Sequence, residues 1–92
     1  MSSSTTDNHR RLRERRMLDA LEAMLDLVRA GHEIVRVDFD RVRPVIWVRP
    51  TPACDRLESA THQRYSENGR VRRIAAAPFL DRKVQVQWEE MN

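Results

Sequence analysis

The sequence predicts an α+β fold: one long N-terminal helix packed on an antiparallel sheet of about five strands, arranged as two hairpins plus a C-terminal strand. Three observations predict it. Leu18, Leu21, Leu25 and Val28 recur at 3-4-3 spacing, the period of one helix face. Val45-Ile46-Trp47-Val48 is an unbroken apolar run between prolines, the pattern of a strand with both faces covered. Asn68-Gly69 is the preferred pair for a two-residue type I′ hairpin turn, which needs positive φ at both central positions.

At 92 residues the chain makes one domain, small enough that its core is marginal without a partner or self-association. Aromatic residues are only 5% of the total, so the core must come from Val, Ile, Leu, Met and two Trp. The net charge of +3 is unevenly placed. Residues 1–16 hold Arg10, Arg11, Arg13, Arg15 and Arg16 against Asp7 and Glu14, which is 5 − 2 = +3; the remainder holds 17 − 5 = 12 basic and 14 − 2 = 12 acidic groups. The basic excess therefore belongs to an N-terminal arm on a neutral body.

Residues 1–8 are Ser/Thr-rich, have nothing to bury after the initiator methionine, and are expected to be disordered, leaving 9–92 as a single domain whose helix start, 10–16, is basic. Asp7 or Asn8 is a candidate cap, and Gly31 stands where a helix C-cap belongs. Met17 and Met24 widen the apolar stripe. Its length is two heptads, short of a coiled coil, so the stripe is expected to lie on the chain's own sheet. The arginines crowd the positive end of the helix dipole, with Arg11/Arg15, Arg10/Arg13 and Arg13/Arg16 as like-charged neighbours. An anionic partner would relieve that repulsion, which makes Arg10–Arg16 a candidate contact site; a solvated, solubilising arm is the alternative.

Val35, Val37 and Phe39 alternate with Arg36, Asp38 and Asp40, predicting a strand with one buried face and a tight return near Asp40 to Arg43. In the central run Ile46 and Val48 fall on one face, Val45 and Trp47 on the other. If the helix covers the first pair, the second needs another cover, from later segments or a second molecule. Pro50 and Pro52 end this strand. Residues 53–60 form a short helix in this reading, with Leu57 and Cys54 inward.

A type I′ turn at Asn68-Gly69 pairs positions whose numbers sum to 137, placing Glu67 opposite Arg70, Tyr65 opposite Arg72, Arg64 opposite Arg73 and Gln63 opposite Ile74. Glu67 and Arg70 form a favourable pair, and Tyr65 can stack on Arg72. Arg64 against Arg73 is unfavourable. With Arg72 these make a second candidate anion contact, although two long side chains splaying into water is the plainer reading. Phe79 and Leu80 supply anchors, Asp81-Arg82-Lys83 turns the chain, and Val84, Val86 and Trp88 alternate with Gln85 and Gln87 as a last half-buried strand.

Little points to catalysis or to a cofactor. A single cysteine excludes an internal disulfide, and no metal-ligand spacing is present. Cys54 lacks a local nucleophile signature, Asp38 and Asp40 read as a solvated edge, and Gly31 and Gly69 are both explained by backbone geometry rather than a phosphate loop. No apolar run is long enough for a membrane span, and a cytoplasmic location is expected.

Val42-Arg43-Pro44-Val45-Ile46-Trp47-Val48, Pro52-Ala53-Cys54 with Leu57, Asn68-Gly69 and the closing Val84-Gln85-Val86-Gln87-Trp88 together resemble small uncharacterised early-region proteins of Mu-like transposable bacteriophages, over residues 33–88. The resemblance carries no active-site residues. It implies a phage accessory protein acting on a host component. The expected function is thus a small non-enzymatic protein that docks on a host protein through the Val45/Trp47 side, the helix or the arginine clusters, with self-association through the helix or that sheet face. The alternative is a nucleic-acid binder using Arg10, Arg11, Arg13, Arg15 and Arg16 on phosphates, with Arg64, Arg72 and Arg73 on a second strand or groove.

Overall fold

The structure is a computed structural model that describes residues 3–39 and 42–90, with helix side chains from Arg10 onward. Helix α1 (Ser3–Arg29) precedes strands β1 (Ile34–Asp38), β2 (Val45–Val48), β3 (Thr61–Glu67), β4 (Arg70–Phe79) and β5 (Val84–Glu89). These form one sheet in the order β1-β2-β5-β4-β3. All neighbours are antiparallel except β2 and β5, which run parallel. The α+β expectation holds, with β5 rather than β2 at the centre.

The helix lies on one sheet face, but not through the residues that its largest side chains suggested. Ala20, Ala23 and Leu27 are buried, and Ala23 and Leu27 join Ile46, Val48, Val84, Val86 and Trp88 in the core. Leu18, Leu21, Leu25 and Val28 are 54–65% exposed, as is Met17 at 55%. At 100° per residue Ala20, Ala23 and Leu27 cluster on one side of the helix and the leucine row on the side facing away. The physical reason is closeness of approach: two alanines let the helix axis sit near the sheet, whereas the leucine row would hold it off. The expectation that the leucines form the core is corrected accordingly.

Asp7 and Asn8 fall inside α1, which begins at Ser3, so neither caps it. Of the eight residues expected to be disordered, Met1 and Ser2 lie outside the described residues. At the other end Gly31 has φ +97°, its N–H donates to Val28 O (3.0 Å), and the His32 N–H donates to Leu27 O (2.9 Å). This is a Schellman ending, with glycine supplying the left-handed residue that a side chain would penalise.

The Schellman turn carries His32 inward to 6% exposure, with Nδ1 lacking a hydrogen-bond partner among the described residues. Burial, reinforced by the nearby charge of Arg56, lowers its pKa below the usual imidazole value of 6.5. The neutral form is favoured in the folded state, so below pH 6.5 the unfolded chain binds the proton more readily. Stability should be fully present above that pH and fall as the pH drops toward the depressed folded value. Denaturant melts across pH 5–7 should show this fall, and His32→Gln should flatten it.

In β1 the simple alternation fails. Ile34 pairs with Val48 and Arg36 with Trp47, so the register slips between Ile34 and Arg36. A bulge puts two residues against one and turns the strand's phase over. Ile34 and Val37 therefore pack on the core, while Val35 (60%) and Phe39 (45%) are exposed. The expected return near Asp40 to Arg43 lies partly outside the described residues, since Asp40 and Arg41 are among those not described. After β2 a 3-10 turn, Pro52–Arg56, replaces the expected longer helix, burying Cys54 and half-burying Leu57.

The β3-β4 hairpin has the expected register from Glu67↔Arg70 through Gln63↔Ile74 and continues to Thr61↔Ala76. Asn68 and Gly69 have φ +50° and +77°. Nothing stands within 4 Å of a Cβ built on Gly69, so Gly69→Ala should lower stability purely through the left-handed backbone, by about 1 kcal/mol. A thermal melt should fall by about 4–8 °C for a domain of this size. β4 runs on through Pro78, which is tolerated because β3 stops pairing at Ala76. The β4-β5 link then turns on three consecutive left-handed residues, Leu80, Asp81 and Arg82.

Candidate docking face

With α1 on one side of the sheet, no described element covers the other. Strand pairing decides which side chains share it, because directly opposed residues point the same way. Arg36 opposes Trp47, Trp47 opposes Gln87, Gln87 opposes Ala76, and Ala76 opposes Thr61. A row therefore crosses the whole sheet. One step along, Gln63, Ile74 and Glu89 form the next row, and Tyr65 and Arg72 the one after. Together they enclose a shallow depression of about 580 Å³ in which Trp47, Gln63, Tyr65, Arg72, Gln85 and Gln87 take part.

Trp47 is half-buried, and the Arg36 guanidinium lies over its ring, 4.9 Å from the centroid. Val45, on the same face, is 4% exposed, so part of the cover expected for this side is supplied by the chain itself. At the far side Tyr65 remains 47% exposed and its hydroxyl bonds the Gln63 carboxamide. Arg72 donates from Nε to Glu89 Oε1 (2.8 Å) and from Nη1 to Glu67 Oε2 (3.5 Å). The hydrogen bond to Glu89 raises its pKa above the ordinary arginine value, holding it charged. The expected stacking of Tyr65 on Arg72 and the Glu67–Arg70 ion pair are thereby replaced: Glu67 reaches across to Arg72 instead.

The charges of this face balance. Arg36, Arg70 and Arg72 stand with Asp38, Glu67 and Glu89 on the same side of the sheet. Arg64 and Arg73 oppose each other as expected, but project to the helix side, because neighbouring strand residues alternate. The proposed triad of Arg64, Arg72 and Arg73 is therefore split between two faces. Arg10, Arg11, Arg13 and Arg15 are exposed on α1 and Arg16 is half-buried. At 100° per residue these five point around the full circumference of the helix rather than along one stripe.

The structure thus brings together Trp47, Tyr65 and Arg72 and separates them from the other seven arginine candidates. Sequence reasoning missed Arg36, Gln63, Gln85 and Gln87; the period-2 alternation around Tyr65 was the signal for Gln63, while the other three reach this face only through the pairing of β2 with β1 and β5. The thiol of Cys54 is buried against Arg49 O (3.8 Å), and His62 pairs with Glu90. Among the described residues no three His, Cys, Asp or Glu side chains group as metal ligands, and no helix is long and apolar enough to cross a membrane.

No protein-family model matches the chain, and neither a curated protein nor a solved structure matches it.

Proposed function

We propose that the chain is a non-enzymatic binding protein that docks on a partner protein through the Trp47 face, the role expected of a phage-type accessory protein acting on a host component. The observation that carries this reading is the bare face itself, which has an aromatic anchor fixed by Arg36, hydrogen-bonding amides around it, and charges already matched in sign. A polyanion binds by counterion release to cations that lack carboxylate partners. A protein surface instead needs a desolvated aromatic anchor within a hydrogen-bonding rim. The partner surface is accordingly uncharged or of mixed charge and rich in hydrogen-bonding groups.

The sheet edges direct association to the faces. β1 is bulged, and β3 is wholly exposed but carries Arg64 and Glu67 along its open edge, both of which discourage strand addition. The test is affinity capture from host lysate, with and without nuclease, using the wild type, Trp47→Ala and Arg64→Ala. A protein retained by the wild type and Arg64→Ala, lost with Trp47→Ala and indifferent to nuclease is expected, followed by direct binding of that purified protein. Material released by nuclease, with retention falling steeply with salt, would favour the nucleic-acid reading and overturn this one.

A further inference from the structure

We propose that a second site, where the loop before β2 meets the β4-β5 turn, binds a terminal phosphate group. A cavity of about 300 Å³ lies there, with Arg43, Arg82, Ser59, Thr61 and Gln85 around it and a short stretch of β4 as its wall. Thr61 and Gln85 also belong to the depression beside Trp47, so the two sites are neighbours. The phosphate site does not use the indole, and it stands or falls independently of the docking face.

Charge selects the occupant. Two guanidinium groups line this cavity and no acidic residue does, in contrast to the depression beside Trp47, where Glu67 accompanies Arg72. Elsewhere on the body Arg29, Arg49 and Arg72 each have a carboxylate within ion-pair distance. Among the described residues Arg43 and Arg82 have none. Glu58 and Asp81, next in sequence to the cavity's residues, do not line it. Like charges gathered without a counter-charge repel, and an anion between them reverses the sign of that interaction.

The backbone holds the two cations together. Arg43 Nη1 donates to Arg82 O (3.0 Å), across 39 positions of chain, which draws the first guanidinium to the turn that carries the second. That turn is left-handed at Leu80, Asp81 and Arg82 (φ +53°, +54° and +66°), and Ser59 across the cavity has φ +59°. Apart from Asn68 in the hairpin turn, these are the non-glycine residues with positive φ among those described. Such backbone is disfavoured for residues with a side chain, and its concentration at one corner is a mark of a binding site. The bond to Arg82 O leaves Arg43 Nη2 and Nε as further donors. Guanidinium forks match phosphate oxygens with paired hydrogen bonds, and the Ser59 hydroxyl and Gln85 carboxamide add neutral donors. Thr61 is already engaged, since its hydroxyl donates to Ala76 O (3.4 Å). A terminal phosphate, with three strongly accepting oxygens and nearly two negative charges, engages this donor set more fully than a phosphodiester does.

Titration of the full chain with glycerol 3-phosphate at fixed ionic strength, followed by amide NMR, tests this. The Ser59 and Arg82 amides should shift saturably. Arg43→Gln and Arg82→Gln should each weaken binding roughly tenfold or more, with the remaining spectrum still that of the folded domain. Arg82→Lys keeps the charge without the fork and should fall between. Arg64→Gln and Trp47→Ala should bind as the wild type does, which separates this site from the docking face. Dimethyl phosphate, a diester, should bind at least about tenfold more weakly than the monoester. A phosphoserine peptide that binds more tightly than glycerol 3-phosphate supports a phosphate carried on a protein, and equal binding supports one carried on a small molecule. A wild type without saturable shifts, arginine variants that bind unchanged, an Arg64→Gln loss as large as theirs, or a diester bound as tightly as the monoester overturns the proposal.

Discussion

Replacing Leu27 with alanine is expected to cost about 2–5 kcal/mol of stability, whereas Leu25→Ala, two positions away, should change it by less than about 0.5 kcal/mol when measured in dilute, monomeric protein. Leu27 is fully buried against the sheet, so its loss removes transfer free energy and leaves a cavity among residues fixed by the β2-β5-β4 ladder. Leu25 is 58% exposed and leaves no cavity. Urea melts compare the two directly. Since the whole domain has a stability of only about 5–15 kcal/mol, Leu27→Ala should leave a visibly unfolded fraction near physiological temperature. Equal effects at the two positions would mean that the helix is rotated relative to its described seat.

Trp47→Ala should weaken partner binding by about 2–4 kcal/mol, a factor of roughly 30 to 1,000, while the protein remains folded. The size of the effect follows from the anchor's geometry. The half-buried indole sits among the strand residues of the open face, and Arg36 over its ring limits the rotamer freedom to be lost on docking. Arg36→Ala should lose part of the same binding by freeing the indole. Arg64→Ala, on the helix side of β3, should leave affinity unchanged. Calorimetric titration against the captured partner reads all three, and an Arg64 effect as large as that of Trp47 would place the contact on the wrong face.

How far the sequence discloses this molecule depends on how local each determinant is. The hairpin register was legible because two residues with positive φ, Asn68 and Gly69, set every pairing from Glu67↔Arg70 onward. The helix and its Gly31 ending were legible for the same reason. Its rotation was not. Periodicity finds an apolar face, and α1 has two, so the large leucines masked the small alanines through which the helix approaches the sheet. In β1 one inserted residue reversed inside and outside for Val35, which no pattern of alternation announces. The parallel contact of β2 with β5 joins segments about forty residues apart and has no short-range signature.

The site was legible in one direction only. An apolar run at Val45 to Val48 had to have two faces and one helix covers one of them, so the sequence showed that the Val45/Trp47 side needed a cover, but not that the chain itself would bury Val45 and leave Trp47 half-buried. The amides around it depend on which strands become neighbours. Arg72 and Arg73 are adjacent in a strand and so had to point to opposite sides, a constraint already present in the period of two. Grouping them by proximity in sequence overlooked it.

The most direct test of the account is the rate at which a thiol reagent labels single cysteines placed on the two sides of α1, at concentrations too low for self-association, in a Cys54→Ala background. Ala23→Cys should be protected and react only through opening of the fold, at least about a hundredfold more slowly than Leu25→Cys, which should react like an exposed thiol. Comparable rates, or a protected Leu25→Cys beside a reactive Ala23→Cys, would contradict the arrangement in which the leucine row is turned outward and the alanine side holds the sheet.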